Sequence, residues 1–261
     1  MSSKERMTLL DALVAAGIDP SRMMPGTGCC SIAETVELTV RAVKHGCAGV
    51  LMLPPFYYKN VSEEGLYRYF SEVVQRIGHA RLRIYLYHIP PVAIVGITPK
   101  LVERLLKAYP TAIAGMKDSS GDWNNTKTFL DAFSKSGFDV FVGSESFLLA
   151  SMRNGGAGTI SATANVNPAA IQELYTQWNT TDYANRQQSK LSLLRDVFAS
   201  KPWPSMIAAL KQAIAIYTKD LEWARVRPPL IELTTEQARL LAGRLTAIEF
   251  VMPGIGTMDP V

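Results

Sequence analysis

Cysteine is scarce in this chain. Cys29, Cys30 and Cys47 are all there are in 261 residues, and they form neither an even disulfide framework nor a CxxC metal pair. That usage excludes a disulfide-stapled scaffold and fits a reducing cytoplasm. Histidine is equally sparse: His45, His79 and His88 are dispersed, and without clustered carboxylates or cysteines no metal site is expected. No uninterrupted apolar run approaches the roughly 20 residues that span a bilayer. The opening MSSKERMTLLDALVAAG also lacks the apolar core and cleavage site of a signal peptide. A soluble protein with no membrane partner is expected. Basic runs are missing too: 27 Lys and Arg lie dispersed among 23 Asp and Glu, for a net charge of +4. Nucleic-acid binding therefore has no electrostatic footprint. The GxG at Gly26-Thr27-Gly28 lacks the third glycine and the downstream acid of a dinucleotide fingerprint, and no cofactor is expected.

What the chain does have is a globular composition, 48% hydrophobic and 19% charged, and a regular alternation of patterns. Met7, Leu9, Leu10, Leu13 and Val14 are at helical spacing behind Ser2 or Ser3 as a cap. Short apolar strands are predicted over 22–25, 48–53, 83–89, 112–117, 138–142 and 157–161. Helical patterns fall between them at 31–45, 63–77, 99–108, 122–134 and 147–153, with Ser62 and Thr98 as caps. Six strands alternating with helices at this spacing predict parallel βα units joined by right-handed crossovers. From Pro168 the character changes: 168–178, 183–199, 204–217 and 235–248 read as helices without strands between them. The expected division is a βα portion over 1–167 and a helical region over 168–261 packed on it.

The stretch that organises the rest is AIAGMKDSSG over 112–121, a small-residue, β-prone run that delivers Lys117 and then turns polar. A strand flanked by helices is buried on both faces, and a lysine charge is costly to bury there without a partner. Most lysines beside a strand end are solvated or paired. The functional alternative is a neutral, nucleophilic amine of the kind that Schiff-base formation with a ketone requires. Tyr57, Tyr87, Gly143 and Ser161 also fall at or just after predicted strand ends, the side on which βα folds place their sites. Tyr87 is either a core tyrosine whose hydroxyl has found a partner or a general acid and base. Tyr57 is either an interface anchor or part of a site.

Five segments carry a resemblance: PPFYYKNVSEEGLYRYF at 54–70, YHIP at 87–90, GMKDSSGD at 115–122, GSES at 143–146 and NGGAGTISATANV at 154–166. Together and in this order they resemble the dihydrodipicolinate synthase and N-acetylneuraminate lyase group of pyruvate-type Schiff-base aldolases. The resemblance implies a (β/α)8 TIM barrel, of which six βα units are present in this chain, followed by a C-terminal helical tail. It implies Lys117 as the Schiff-base residue and Tyr87 as the proton-relay tyrosine. It also implies Tyr57 beside the active site at a tight subunit interface, and Gly143 and Ile160 lining the keto-acid pocket. The implied partners are pyruvate or a related 2-oxo acid and an aldehyde or sugar-acid, with no cofactor, in a cytoplasmic homodimer or homotetramer. The implied reaction is aldol cleavage, condensation or dehydration. The alternative is a non-catalytic relative that retains only binding or assembly.

Two departures qualify the expectation. The family's GTTGE turn is absent, and MSSKERMTLLDAL resembles the helix that follows it, so the first two strands and their helix are expected to be missing. A chain starting at Met1 would then have open sheet edges that invite association, and it would hold keto acid weakly. After YHIP, the arginine that grips the acceptor's carboxylate in dihydrodipicolinate synthases is replaced by the apolar run Val92–Val95. This predicts a sugar-derived or aromatic acceptor rather than aspartate semialdehyde.

Overall fold

The computed structural model describes residues 1–255; positions 256–261, the end of the expected helical region, lie outside the described residues. The chain forms two compact units, one of Met1–Phe141 with Asn154–Ala157 and one of Val142–Arg153 with the chain from Gly158 onward.

Helices of the first unit start where the sequence supplies an oxygen to cap free N–H groups. Ser2 caps α1 (Ser3–Ala15) in a capping box with Glu5, and Ser31 caps α2 (Ile32–His45). Ser62 caps α3 (Glu63–Ile77). A four-residue α4 (Pro90–Ala93), not predicted from the sequence, follows, and then Thr98 caps α5 (Pro99–Ala108) and Asp122 caps α6 (Trp123–Phe133). Gly46 and Gly78 end α2 and α3 at φ values of +80° and +54°, a left-handed turn that costs glycine nothing.

The strands are β1 (Val50–Met52), β2 (Ile84–His88), β3 (Ile113–Asp118) and β4 (Asp139–Val142), side by side in that order. β1 with β2 and β2 with β3 are parallel. Every residue of β3 is buried, as a strand covered on both faces requires. Gly115 fits this crowding: a Cβ there would meet the Asp139 carbonyl oxygen at 2.3 Å and Tyr85 Cδ1 at 2.8 Å. The predicted strand at 22–25 takes a different form. A 3-10 turn covers Pro20–Arg22, and Met23 and Pro25 still accept from Ala48 and Leu51, but the pairing narrows to one parallel bridge between Gly26 and Leu51. Pro20 and Pro25 carry no N–H to extend a ladder. Phe70, Ile84, Leu101, Leu105, Met116 and Phe129 fill the core of this unit.

The second unit contains α7 (Leu148–Arg153), a two-residue β5 (Gly158–Thr159), α8 (Pro168–Gln177), α9 (Thr181–Ala199), α10 (Met206–Thr218) and α11 (Thr235–Ala247). Ser205 caps α10, which begins two residues after the expected start at Pro204, and Thr234 forms a capping box with Gln237 at α11. Leu194, Phe198, Trp203, Leu210, Leu241 and Leu245 form one core cluster. Leu148, Leu149, Ile171, Leu174 and Leu191 form another. No helix among the described residues is long and apolar enough to cross a membrane.

Candidate active site

The register of β2 and β3 pairs Tyr85 with Gly115, Tyr87 with Lys117 and His88 with Asp118. Side chains alternate across a sheet, so Tyr85, Tyr87, Gly115 and Lys117 share one face. Lys117 is buried, at 9% exposure, and its Nζ donates to the Tyr87 hydroxyl at 3.2 Å and lies 4.4 Å from the centre of that ring. No carboxylate pairs with Lys117 among the described residues. Tyr85, one step earlier, donates to Asp139 Oδ2 at 3.1 Å, and burial together with that carboxylate pushes its phenol above the usual range. The phenol of Tyr85 is thus committed, whereas the Tyr87 oxygen is shared with an amine.

The opposite face, toward α6, holds His88 and Asp118. Asp118 accepts from Thr126 Oγ1 at 2.6 Å, Asn125 Nδ2 at 3.1 Å, Ser120 N at 2.9 Å and Ser120 Oγ at 3.1 Å. His88 Nδ1 accepts the Ile97 N–H at 2.8 Å, which ties the loop after YHIP back to the strand. Burial lowers the basicity of His88, partly offset by the Asp118 charge.

Tyr57 is on the surface of this unit, 74% exposed and packed edge-on against the equally exposed Tyr58 with ring centres 5.3 Å apart. Gly143 and Ile160 belong to the second unit. There the Ile160 N–H donates to the Val142 carbonyl at 3.0 Å, so the residue preceding Gly143 is bonded to Ile160 itself. Ser161 is buried and donates to Glu145, as does Thr163, and Arg195 Nη1 lies 3.7 Å from Glu145 Oε2. Sequence reading passed over Glu145, Thr163 and Arg195. The available signal was a carboxylate in a small-residue turn directly after one strand, with a row of hydroxyls directly after the next. Among the described residues no group of three or more His, Cys, Asp and Glu side chains is placed to hold a metal.

Lys117 and Tyr87 lie at the carboxyl ends of adjoining parallel strands, the side on which parallel βα folds place their sites. The sequence matches the dihydrodipicolinate synthetase family over residues 1–248. It is 32% identical over 254 residues to a DapA-like lyase of Chloroflexus aurantiacus, covering 97% of this chain and 81% of that protein. The fold superposes on the crystal structure of dihydrodipicolinate synthase from Agrobacterium tumefaciens with a TM-score of 0.83 at 31% identity, over 95% of this chain and 82% of that one. It is similar in fold also to YagE, a prophage protein of the same family from E. coli K12 solved in complex with pyruvate, with a TM-score of 0.85 at 24% identity over 95% and 82% of the two chains. The chain belongs to the dihydrodipicolinate synthetase family, and its α/β architecture of parallel strands and helices fits the TIM barrel.

Proposed function

We propose that this protein is a lyase or synthase that captures pyruvate or a related 2-oxo acid as a Schiff base on Lys117. The observation that carries the reading is the buried Lys117 amine with the Tyr87 hydroxyl as its hydrogen-bond partner at 3.2 Å and, among the described residues, no carboxylate paired with it. An amine in this setting attacks the ketone carbon, and loss of water from the adduct leaves an iminium. The iminium draws electrons from a neighbouring bond, so a carbon–carbon bond or a leaving group there is made or broken through an enamine. Tyr87, within reach of the same nitrogen, relays the protons that must move as the enamine forms and the neighbouring bond is made or broken. The pyruvate complex of the YagE relative supports the choice of keto acid. In this reading Gly143 and Ile160 line the keto-acid pocket, residues 1–167 provide six βα units of a (β/α)8 barrel, and 168–261 form its helical tail. Exposed Tyr57 and Tyr58 suit a subunit interface in a cytoplasmic homodimer or homotetramer.

Incubation with pyruvate and borohydride tests the assignment. One keto-acid adduct is expected, on Lys117 and on no other lysine. An unmodified chain, under conditions that modify a full-length relative, would instead indicate a family member that only binds or assembles.

The acceptor is a separate part of the proposal. After Tyr87 the chain presents Val92 and Ile94 at 72% and 64% exposure, apolar surface with no fork-shaped donor for a carboxylate. This favours a sugar-derived or aromatic partner. Turnover of aspartate semialdehyde is expected to be negligible beside that of such a partner, and efficient condensation with it would defeat this part of the reading.

A further inference from the structure

Glu145 is the most buried charged side chain among the described residues, at 1% exposure. It opens the 3-10 turn Glu145–Phe147, two residues beyond Gly143. Its Oε2 accepts the Ser161 hydroxyl and its Oε1 that of Thr163, and the two hydroxyl oxygens lie 3.0 Å apart. Helix α9 completes the enclosure. Arg195 Nη1 lies 3.7 Å from Glu145 Oε2 and donates to Ser161 Oγ at 3.2 Å. One face of the same helix also supplies Gln188, which donates to the Glu145 carbonyl and accepts the Leu149 N–H, both at 2.9 Å.

On its own, such a carboxylate is a poor stabilising device. Desolvation offsets much of what its partners return, and an apolar side chain of similar volume packs without that cost. What it does provide is a fixed acceptor with two defined directions. Ile160 stands immediately before Ser161 and is already bonded to the Val142 carbonyl at 3.0 Å; Thr159 Oγ1 donates to the same carbonyl at 2.9 Å. The 159–163 segment is therefore tied to the 142–145 turn twice, through Val142 before Gly143 and through Glu145 after it.

We propose that Glu145 is a positioning residue for keto-acid capture: by holding Ser161 and Thr163 it keeps the backbone at Gly143 and Ile160 in a single geometry. The assignment rests on the Schiff-base reading given above. Its test is borohydride trapping across a range of pyruvate concentrations, with wild type, Glu145→Gln and Thr163→Val, alongside thermal melts. Glu145→Gln preserves volume but leaves one acceptor oxygen and turns N–H donors toward groups that already donate. Thr163→Val removes one hydroxyl, leaves the carboxylate and carries the same test should Glu145→Gln fail to fold. The adduct is expected on Lys117 at saturating pyruvate in every variant. Half-saturating pyruvate should rise about tenfold for Glu145→Gln, the scale of a lost hydrogen bond to a charged group, and severalfold for Thr163→Val. A purely structural role would lower the melting temperature and leave half-saturation of the folded protein alone. Folded variants with unchanged half-saturation overturn the assignment while leaving the Schiff-base reading intact. A wild-type chain that forms no adduct overturns both.

Discussion

Tyr87 and Lys117 meet at one step of the β2–β3 register, and His88 and Asp118 meet at the next. All four are polar side chains at strand ends, yet their surroundings differ. Asp118 receives four hydrogen bonds from Ser120, Asn125 and Thr126, and His88 is committed through Nδ1 to Ile97. Lys117 has the Tyr87 hydroxyl and the face of its ring. A buried polar group with its partners in place holds other groups in position and does not itself make or break bonds with a substrate, since direct chemistry would have to break those hydrogen bonds first. A buried amine with a single neutral partner keeps donors, and after proton loss a lone pair, for something else. The difference separates a scaffold face from a reactive face within one pair of strands.

Substitutions on the two faces should accordingly fail in different ways. The largest effect is expected from Tyr87→Phe, which should slow turnover by about 10²- to 10⁴-fold, the usual contribution of a positioned acid and base. It should disturb keto-acid capture much less, since a proton relay acts mainly in the transition state. Single-turnover kinetics beside borohydride trapping separates the two quantities, and equal losses in both would remove Tyr87 from the relay. Asp118→Ala belongs to the other face. It strands the Thr126 and Asn125 donors that met the carboxylate, and a cost of about 3 kcal/mol is expected in urea unfolding, with trapping by the folded fraction close to normal. Loss of trapping without loss of stability would place Asp118 in the chemistry and collapse the distinction.

His88 gives the smallest and most selective effect. Burial holds its folded basicity below the ordinary value of about 6.5. The unfolded chain therefore takes up the proton first as pH falls. Between that ordinary value and the lower folded one, stability declines with falling pH; above the ordinary value the contribution is fully present. Urea midpoints measured from pH 8 down to pH 5 should show this slope, and His88→Gln should remove its share. An unchanged slope in the variant would assign the pH dependence to other groups.

Much of the local structure was legible because it depends on near neighbours. Ser62 and Thr98 cap their helices as read, since a cap needs only an oxygen within three residues of a free N–H. Lys117 stood out because a small-residue strand ends on it, and Tyr87 because RIYLYHI stops at a proline pair. The short helix at 90–93 was not legible: Pro90 and Pro91 mark a strand's end equally well whether a loop or one helical turn follows. The strand predicted at 22–25 reduced to a bridge, since apolar pattern cannot count the N–H groups that prolines withhold.

The sequence by itself determined which residue is the candidate nucleophile, where the longer helices and the central strands lie, and to which family the chain is similar. All of these follow from residue type and spacing along the chain. Only the tertiary structure decided that Lys117 points at Tyr87 and not at Asp139 or His88. A register irregularity between Ile84 and Tyr85 sets that pairing, and a shift of one residue would have sent Lys117 opposite a side chain on the other face. Tertiary structure alone also gave Glu145 its partners. The Ser161 and Thr163 hydroxyls lie 16 and 18 residues away from it in the chain, and Arg195 comes from a helix further on still. Contacts at such separation are fixed by how whole elements pack, a property that no local pattern encodes.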